Sequence, residues 1–337
     1  MASNAAAVRR WLETAADDLR DRADLLNVLN VFPFADADTG SNLSATVQTA
    51  AQAAQVIETS DLSELITLAG QAALEEARGN SGTLFAVFLA AMGEGLGEAP
   101  RLHAEALASG LSAGSVRAWS VLTDPVAGTM LSVLTEVAAI PVPEHGEPGS
   151  NQQLLLYLQQ VLSAAQRAVL DSGRDQEILC GKRHVDAGAL GMLIILDALR
   201  RVISGQPQDF LQPVEDVVAQ LPADLLTQSP QSCGPGVTQV DSGVDRWVEV
   251  MVTMDMTALG AATVRHELAE MGDSVIVSAV SQIDADQWRW RVHAHVPEQQ
   301  AALEVLRQHG DPRSVTVVKL SVEQSLPPYP TADTGLS

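Results

Sequence analysis

The sequence predicts a multi-domain chain, in which an all-α domain is followed by a small α+β domain with the order β-α-β-β-α-β. Its length of 337 residues suits about two domains. Apolar residues recur at helical spacing through roughly the first 200 residues, and from Asp245 they alternate as in strands. We place the helical domain at 1–205, a linker at 206–244, the α+β domain at 245–324 and a disordered tail at 325–337.

Clusters of Gly, Pro and Asp separate the predicted elements. Helical spacing predicts helices over residues 5–28, 42–58, 61–78, 82–94, 102–119, 125–139, 150–172 and 187–203, and a short one at 213–220 inside the linker. In the second domain, alternation predicts strands at 248–252, 274–280, 287–296 and 314–322, with helices at 257–271 and 297–310. This order is the split motif of ferredoxin-like domains.

The charge balance argues against two classes of partner. The formal net charge is −22, which disfavours nucleic acid and anionic membrane surfaces, whose phosphates attract Lys and Arg. Solubility alone is a sufficient reason for the acidity. No apolar run reaches the length of an integral membrane segment, and the N-terminus does not resemble a secretory signal. Because Cys180 and Cys233 are far apart, we expect no disulfide framework and a cytoplasmic location.

Two carboxylates, Asp36 and Asp38, lie on a predicted loop at 30–40. Alternate side chains of an extended segment point the same way, so both can reach one hard cation. Carboxylate oxygens suit Mg²⁺, which usually also binds substrate phosphates. An Asp-rich turn without a metal explains the same residues, because Asp favours turns.

A polar, Gly-flanked turn at 79–82 precedes an apolar helix. Backbone N–H groups at a helix start lack intrahelical partners and carry the positive end of the helix dipole, so they can hold phosphate oxygens. A plain N-cap by Asn80 or Ser81 is the simpler explanation of this turn taken alone. Together, the carboxylate loop and the turn suggest magnesium-nucleotide chemistry.

Four segments resemble the motifs of one family, in family order and with similar spacing. The first is similar to the signature of DhaL-type kinase domains, and more closely to the first domain of fatty acid kinase FakA-like proteins; it reads Asn30-Val31-Phe32-Pro33-x-x-Asp36-x-Asp38-Thr39-Gly40-x-Asn42. Residues 77–82 (A-R-G-N-S-G), 185–191 (V-D-A-G-A-L-G) and 125–131 (P-V-A-G-T-M-L) resemble the family's G-A-R-G-N-S-G, V-D-S-G-G-Q-G and P-x-E-G-T-I-L. The resemblance continues into the second domain.

The resemblance implies an antiparallel helical barrel that binds ATP or ADP in loops at one end. It implies that Asp36 and Asp38 are catalytic and hold two magnesium ions, with Asn30 as a weak third ligand. The residues it implies for phosphate and nucleotide are Thr39, Asn42, Gly79, Asn80, Ser81, Gly82, Gly128, Thr129, Asp186 and Gly188. Helix capping is the alternative role of Thr39, Asn42 and Asp186, and packing is that of Thr129.

Some residues depart from the family pattern. Ala37 stands where the family has Gly, which is harmless only if Ala37 has a negative φ. Ala189 and Leu190 replace a Gly-Gln pair, which alters the expected contacts with base or ribose. FakA-like proteins also have a third, C-terminal domain, which we expect to lie outside this sequence.

His293 and His295 share one face of a strand with two Arg residues, and two Trp residues occupy the other face. Because Trp belongs in the core, we expect the His face to point outward or toward a partner. In FakA-like proteins a corresponding His-x-His pair resembles part of a zinc site that a Cys on the first strand completes. Here that strand has no Cys, and although Glu249 offers a carboxylate, two His are too few for a closed site, so the sequence favours no zinc.

The function that the resemblance implies is that of an ATP-dependent kinase component. It would phosphorylate the carboxylate of a fatty acid presented by a separate fatty-acid-binding protein. Two alternatives stay open: a catalytically idle relative that acts as a scaffold or regulator, and phosphorylation of a small ketone of the dihydroxyacetone type. The sequence is compatible with a homodimer and does not specify one.

Overall fold

The computed structural model describes most of both domains. The residues that it describes are 4–30, 37–123, 125–180 (with side chains through 172), 185–205, 212–221 and 247–320. Several sequence-based predictions fall outside these ranges, namely those on Asp36, on Cys233, on most of the linker and on the tail at 325–337.

The first domain is helical wherever it is described. Its helices are α1 (Ala5–Asp21), α2 (Ala23–Leu29), α3 (Thr39–Val56), α4 (Leu62–Glu75), α5 (Gly79–Gly95), α6 (Ala104–Val121), α7 (Met130–Ala138), α8 (Asn151–Cys180), α9 (Ala187–Ser204) and α10 (Gln212–Val218). They surround one apolar core, in which α1 packs on α3 and α9, and α5 packs on α3, α4 and α6. None of the described helices combines the length and apolarity that crossing a bilayer requires.

Small residues let these helices approach closely. A methyl group added at Gly70 on α4 would lie 2.3 Å from the backbone nitrogen of Ala90 on α5. Contacts of this kind bring backbones together and leave little room for larger side chains. The abundance of Ala and Gly in the sequence is therefore a packing feature of the first domain.

The predicted helix over residues 5–28 is two helices. The backbone of Arg22 leaves the helical region (φ −116°, ψ 11°) and separates α1 from α2. The break turns α2 onto the first turn of α3, where the Ala23 carbonyl meets Gly40 so closely that a methyl group there would lie 2.2 Å from it. Apolar spacing runs through the break, so periodicity alone did not reveal it.

Three other helices begin three or more residues away from their predicted starts. The helix expected from residue 125 begins only at Met130, because Gly128 has a positive φ of 76° and Thr129 caps the helix. Helices α3 and α5 begin at Thr39 and Gly79, which is earlier than predicted. The polar residues that were placed in loops before these two helices therefore belong to their first turns.

The second domain is a four-stranded antiparallel sheet with two helices on one face. Its elements are β1 (Val248–Thr257), α11 (Ala258–Met271), β2 (Asp273–Gln282), β3 (Gln287–Val296), α12 (Gln299–His309) and β4 (Asp311–Lys319). The strand order β2-β3-β1-β4 is that of the ferredoxin-like fold. The predicted fold class, helical domain first and ferredoxin-like domain second, is confirmed. Only β3 keeps its predicted bounds; β1 and β2 are longer, and β4 begins and ends earlier than expected.

Strands β1, β2 and β3 are covered on both faces over much of their length, whereas most of the edge strand β4 is exposed. One face packs on α11 and α12 through a core of valines and methionines. The other packs on the helical domain, whose apolar core includes Ile276 and Val280 of β2. Two directions were expected for the His293 and His295 face, outward or toward a partner. The outward direction is wrong, because these side chains are 0% and 4% exposed. Polar alternation looks the same in sequence whether the polar face meets water or a second domain.

Candidate functional site

The N-terminal ends of α3 and α5 lie side by side. Gly79 has a φ of +60°, and a methyl group on it would lie 2.8 Å from the Asn42 amide nitrogen. A methyl group on Gly82 would lie 2.5 Å from Thr46 Oγ1. That hydroxyl donates to the Asn42 carbonyl at 2.9 Å and accepts the Arg78 N–H at 3.4 Å. Glycine is needed at both positions, and the turn brings the predicted Asn42, Gly79 and Gly82 together.

The starts of α7 and α9 join the same cluster. A methyl group on Gly188 would lie 2.8 Å from Ser81 Oγ and 3.5 Å from Met130 Cβ. Asp186 caps α9 by accepting the Ala189 N–H at 2.7 Å. Burial raises the pKa of Asp186 to about 6, although the backbone N–H groups of Ala189, Met130 and Gly188 bond to its carboxylate and act to lower it. The capping role is therefore present, and one carboxylate links two helix starts.

The loop before α7 is tied internally. Thr129 Oγ1 donates to the Val126 carbonyl at 2.9 Å and accepts the Leu131 N–H at 3.4 Å. The Gly128 N–H donates to Ser132 Oγ at 2.8 Å. The Thr129 side chain is thus a helix cap, which leaves the neighbouring backbone as the part of this loop that can face a ligand.

Of the predicted metal ligands, Asp38 and Asn30 lie within the described residues. Asp38 occupies the N-cap position of α3, but its side chain makes no capping hydrogen bond. Asn30 is buried at the end of α2. Asn27 fastens α2 to α3, because its Nδ2 donates to Ser41 Oγ at 2.9 Å and its Oδ1 accepts the Ser41 N–H at 3.1 Å. This link, which brings Asn30 and Asp38 to one end of the domain, was missed, since an Asn in a last helical turn carries no signal.

Ala37 adopts the conformation that the family pattern reserves for glycine. Its φ is 55°, in the left-handed region. An L-residue costs roughly 1–2 kcal/mol there because Cβ crowds the backbone. The condition under which alanine would be harmless is not met, so the residue directly before Asp38 is strained.

The electrostatics of this end of the domain favour an anion beside a cation. The starts of α3, α5, α7 and α9 each direct N–H groups and a positive dipole end toward it. Asn80 Oδ1 is buried without a hydrogen-bond partner in the described part of the chain, which leaves an acceptor for a ligand. Arg78 belongs to the family-like segment at 77–82, and no role was predicted for it. It is exposed directly before α5 and adds a positive charge. Polyphosphate with a bound cation suits this arrangement.

A second cluster of titratable side chains lies under the sheet. Glu249, His293 and His295 are buried, and their possible ligand atoms lie within 4.8 Å of one another. Glu249 Oε1 is 3.4 Å from His293 Nδ1, and Glu249 is paired with His295 across β1 and β3. Neither ring nitrogen of His293 has a hydrogen-bond partner among the described residues. Burial, with the nearby His295 and Arg291, lowers the pKa of His293 well below its usual value, so its ring is neutral, as a metal ligand must be.

These residues fit a cation of the zinc class. On the sequence alone two His were too few for zinc, and the geometry adds the Glu249 carboxylate beside them. Asp273 Oδ1 lies 3.4 Å from His295 Nδ1, the position of a carboxylate that orients a ligating imidazole. A cation held by Glu249, His293 and His295 would tie β1 to β3 beneath the helical domain, in a structural role.

The fold defines a class of protein, in which a helical domain precedes a ferredoxin-like domain. Residues 33–201, half of the chain, match the family model of the DAK2 domain. Residues 247–325 match the family model of the FakA-like middle domain, which is named for fatty acid kinase. The chain belongs to the DAK2 domain family.

Curated relatives align with nearly the whole chain. "Protein YloV" of Bacillus subtilis is 25% identical over 318 residues, which cover 91% of this chain and 53% of the relative. An uncharacterized protein of Staphylococcus haemolyticus is 24% identical over 310 residues, which cover 91% of this chain and 52% of that protein. The chain thus spans about half the length of these relatives. A dihydroxyacetone kinase from C. freundii, solved in complex with AMP-PNP and Mg²⁺, is 24% identical with a TM-score of 0.44, and the match covers 60% of this chain and 34% of that one.

Replacing Ala37 with glycine is expected to relieve the local backbone strain. Glycine tolerates a φ of 55° but loses more entropy on folding, so the net gain in unfolding free energy should be about 1 kcal/mol or less. Urea denaturation measures it. Ala285→Gly is the control, because Ala285 lies exposed in a turn without a positive φ and should lose about 0.5 kcal/mol. Equal losses in both variants would contradict the strain at Ala37.

The Asp186 carboxyl is expected to make stability depend on pH. Its folded pKa of about 6 exceeds the ordinary value of 3.8, so the folded state binds the proton more tightly. Its contribution should be complete below about pH 4 and lost as the pH rises through 6, by about 3 kcal/mol at most. The difference in unfolding free energy between wild type and Asp186→Asn isolates this dependence. Other groups with a shifted pKa, such as Asp18, whose pKa burial raises, are present in both proteins. A difference that is constant across the window would refute the assignment.

The Glu249 cluster is expected to retain a zinc-class cation in the purified chain. Elemental analysis should find an equimolar amount, and a strong chelator should lower the melting temperature. Glu249→Gln should lose the metal and the response to chelator, because the amide is a poor ligand. The control is His266→Gln, since His266 and Glu270 form an exposed pair on α11. Absence of metal after refolding with zinc would show that the cluster is not a metal site.

Proposed function

We propose that this protein is an ATP-dependent, magnesium-requiring phosphotransferase that acts on the carboxylate of a fatty acid held by a separate binding protein. One observation supports the proposal of nucleotide binding. Four helix starts meet at one end of a DAK2-type domain, beside Asp38, whose carboxylate makes no capping hydrogen bond to α3. The acceptor half rests on the match of the second domain to the FakA-like middle domain.

The proposed roles of the residues follow from charge and position. The N–H groups of the turn at 79–82 would bind phosphate oxygens. At the starts of α7 and α9, Asp186 and Thr129 already accept N–H groups, so these helices would contribute the positive ends of their dipoles. Asp38, with Asp36 and Asn30, would hold magnesium, which neutralises charge on the phosphates when bound. Asn80 offers an acceptor to the nucleotide.

The reaction would be a direct transfer. A carboxylate oxygen of the fatty acid forms a bond to the γ-phosphorus, and the bond from that phosphorus to the bridging oxygen breaks. The electron pair leaves with ADP, and the product is an acyl phosphate. A carboxylate is already ionised near neutral pH, so this acceptor requires no general base. The hydroxyl group of a small hydroxyketone is protonated near neutral pH and would require a general base. We therefore rank phosphorylation of a small ketone below phosphorylation of a fatty acid.

Ala37 favours a second candidate function. Ala37 has a strained backbone directly before Asp38, and a relative that had lost transfer activity would tolerate this cost. Such a protein would keep the helical domain as a scaffold or regulator. Magnesium-dependent nucleotide binding followed by acyl phosphate formation distinguishes the two functions.

Magnesium-dependent nucleotide binding is expected to depend on Asp38. Calorimetric titration of the chain with ADP should show binding that requires magnesium, and Asp38→Asn should weaken it by about 10- to 100-fold. Asp61→Asn is the matched control, because Asp61 caps the start of α4, at the opposite end of that helix from the turn at 79–82. Asparagine caps helices as well as aspartate does, so this variant should change neither stability nor affinity appreciably. Magnesium-independent binding, or equal affinity in wild type and Asp38→Asn, would reject the metal assignment.

The acceptor is tested separately. A fatty-acid-loaded binding protein, ATP, magnesium and the chain should yield an acyl phosphate that hydroxylamine traps as a hydroxamate. Nucleotide binding without this product would support the scaffold.

A further inference from the structure

The small domain contacts the helical domain directly before the turn at 79–82, which we propose binds phosphate. Arg291 on β3 is 3% exposed, and its Nη2 donates to the Ala77 carbonyl at 2.7 Å. Its Nη1 donates to Thr253 Oγ1 at 2.9 Å, and that hydroxyl donates to the Glu75 carbonyl at 3.1 Å. Two side chains of the sheet thus hold the chain where α4 ends, immediately before residues 78–82.

A second contact between the two domains lies before the segment at 125–130, which also belongs to the proposed nucleotide site. Arg265 on α11 donates to the Ser120 carbonyl at 3.2 Å and to the Leu122 carbonyl at 2.8 Å. Leu122 also forms an isolated antiparallel bridge with β2, and the Thr123 N–H donates to the Val275 carbonyl at 3.3 Å. The small domain therefore also holds the end of α6, a few residues before Gly128.

The two contacts share one physical basis. The last carbonyls of a helix have no intrahelical donor, and the negative end of the dipole lies there. Guanidinium groups satisfy both needs, and a charge-assisted bond to a buried carbonyl is stronger than a neutral one. Arg265 caps α6 in this way. At α4 the Thr253 hydroxyl donates to the last helical carbonyl, of Glu75, and Arg291 adds its positive charge at Ala77, two residues beyond the helix.

We infer that Arg291 and Arg265 are positioning residues of the nucleotide site. By fixing the ends of α4 and α6, they set where the segments at 78–82 and 125–130 begin. The inference deepens the proposed function and rests on it for the affinity readout; a second readout, hydrogen exchange, is independent of nucleotide.

The experiment uses the full chain with Arg291→Met, Arg265→Met and both changes together. Methionine fills similar volume without donating hydrogen bonds. Exchange of backbone amides should rise at 78–83 in Arg291→Met and at 125–131 in Arg265→Met. Each change should weaken magnesium-ADP binding on the order of tenfold. Arg291→Lys should recover part of the loss, because it restores one charged donor.

Arg313→Met is the matched control. Arg313 donates to the Asp255 carboxylate, so this variant loses an arginine whose hydrogen bonds, among the described residues, stay within the small domain. It should leave both exchange at 78–83 and ADP affinity unchanged.

The outcomes separate the two proposals. Unchanged exchange in both segments of the Arg→Met variants would overturn the positioning role, whatever the affinity. If wild type does not bind magnesium-ADP, the proposed function fails, and the exchange data still decide the inference. Should Arg291→Met not fold, Thr253→Val removes the hydroxyl link to Glu75 while keeping the arginine, and it should produce the same rise at 78–83.

Discussion

The close approach of helix ends is the constraint on which the rest of the candidate site depends. Three glycines stand where a single methyl group would collide with a polar side chain of the next helix: Gly79 with Asn42, Gly82 with Thr46 and Gly188 with Ser81. Because no side chain fills these contacts, the N–H groups of several helices face a common space. The anion preference that we propose for that space would follow from backbone geometry and would need few charged side chains.

The second organising feature is a sheet whose strands β1, β2 and β3 are covered on both faces. Valines alternate with polar residues along β1 and β3, and the polar set meets the helical domain. This gives Arg291 two definite partners, the Ala77 carbonyl and the Thr253 hydroxyl, and it places the Glu249 carboxylate near His293. These hydrogen bonds make the burial of Arg291 tolerable. The ring nitrogens of His293 have no such partner among the described residues.

Sequence reasoning reached the fold class and the motif segments because both depend on local patterns. Periodicity separated the helical domain from the ferredoxin-like one, and motif spacing grouped residues that the structure brings together, such as Ser81 and Gly188. It did not reach features that arise from long-range contacts. The break at Arg22, the tie from Asn27 to Ser41 and the covered face of the sheet depend on neighbours distant in the chain. The sign of φ at Ala37 could not be predicted from the sequence, because it depends on the path of the surrounding backbone.

The contact between the domains has a consequence for how this sequence can vary over evolution. On the helical side, Arg291 and Arg265 bind carbonyl oxygens, which every residue type supplies. A substitution at exposed Ser120 therefore keeps the acceptor in place, and at buried Ala77 packing, not the hydrogen bond, limits which residues fit. The selective burden falls on the two arginines and on helix lengths, since an insertion in α4 or α6 would move the acceptors out of reach. Relatives about one quarter identical can in this way keep the same junction with few shared side chains.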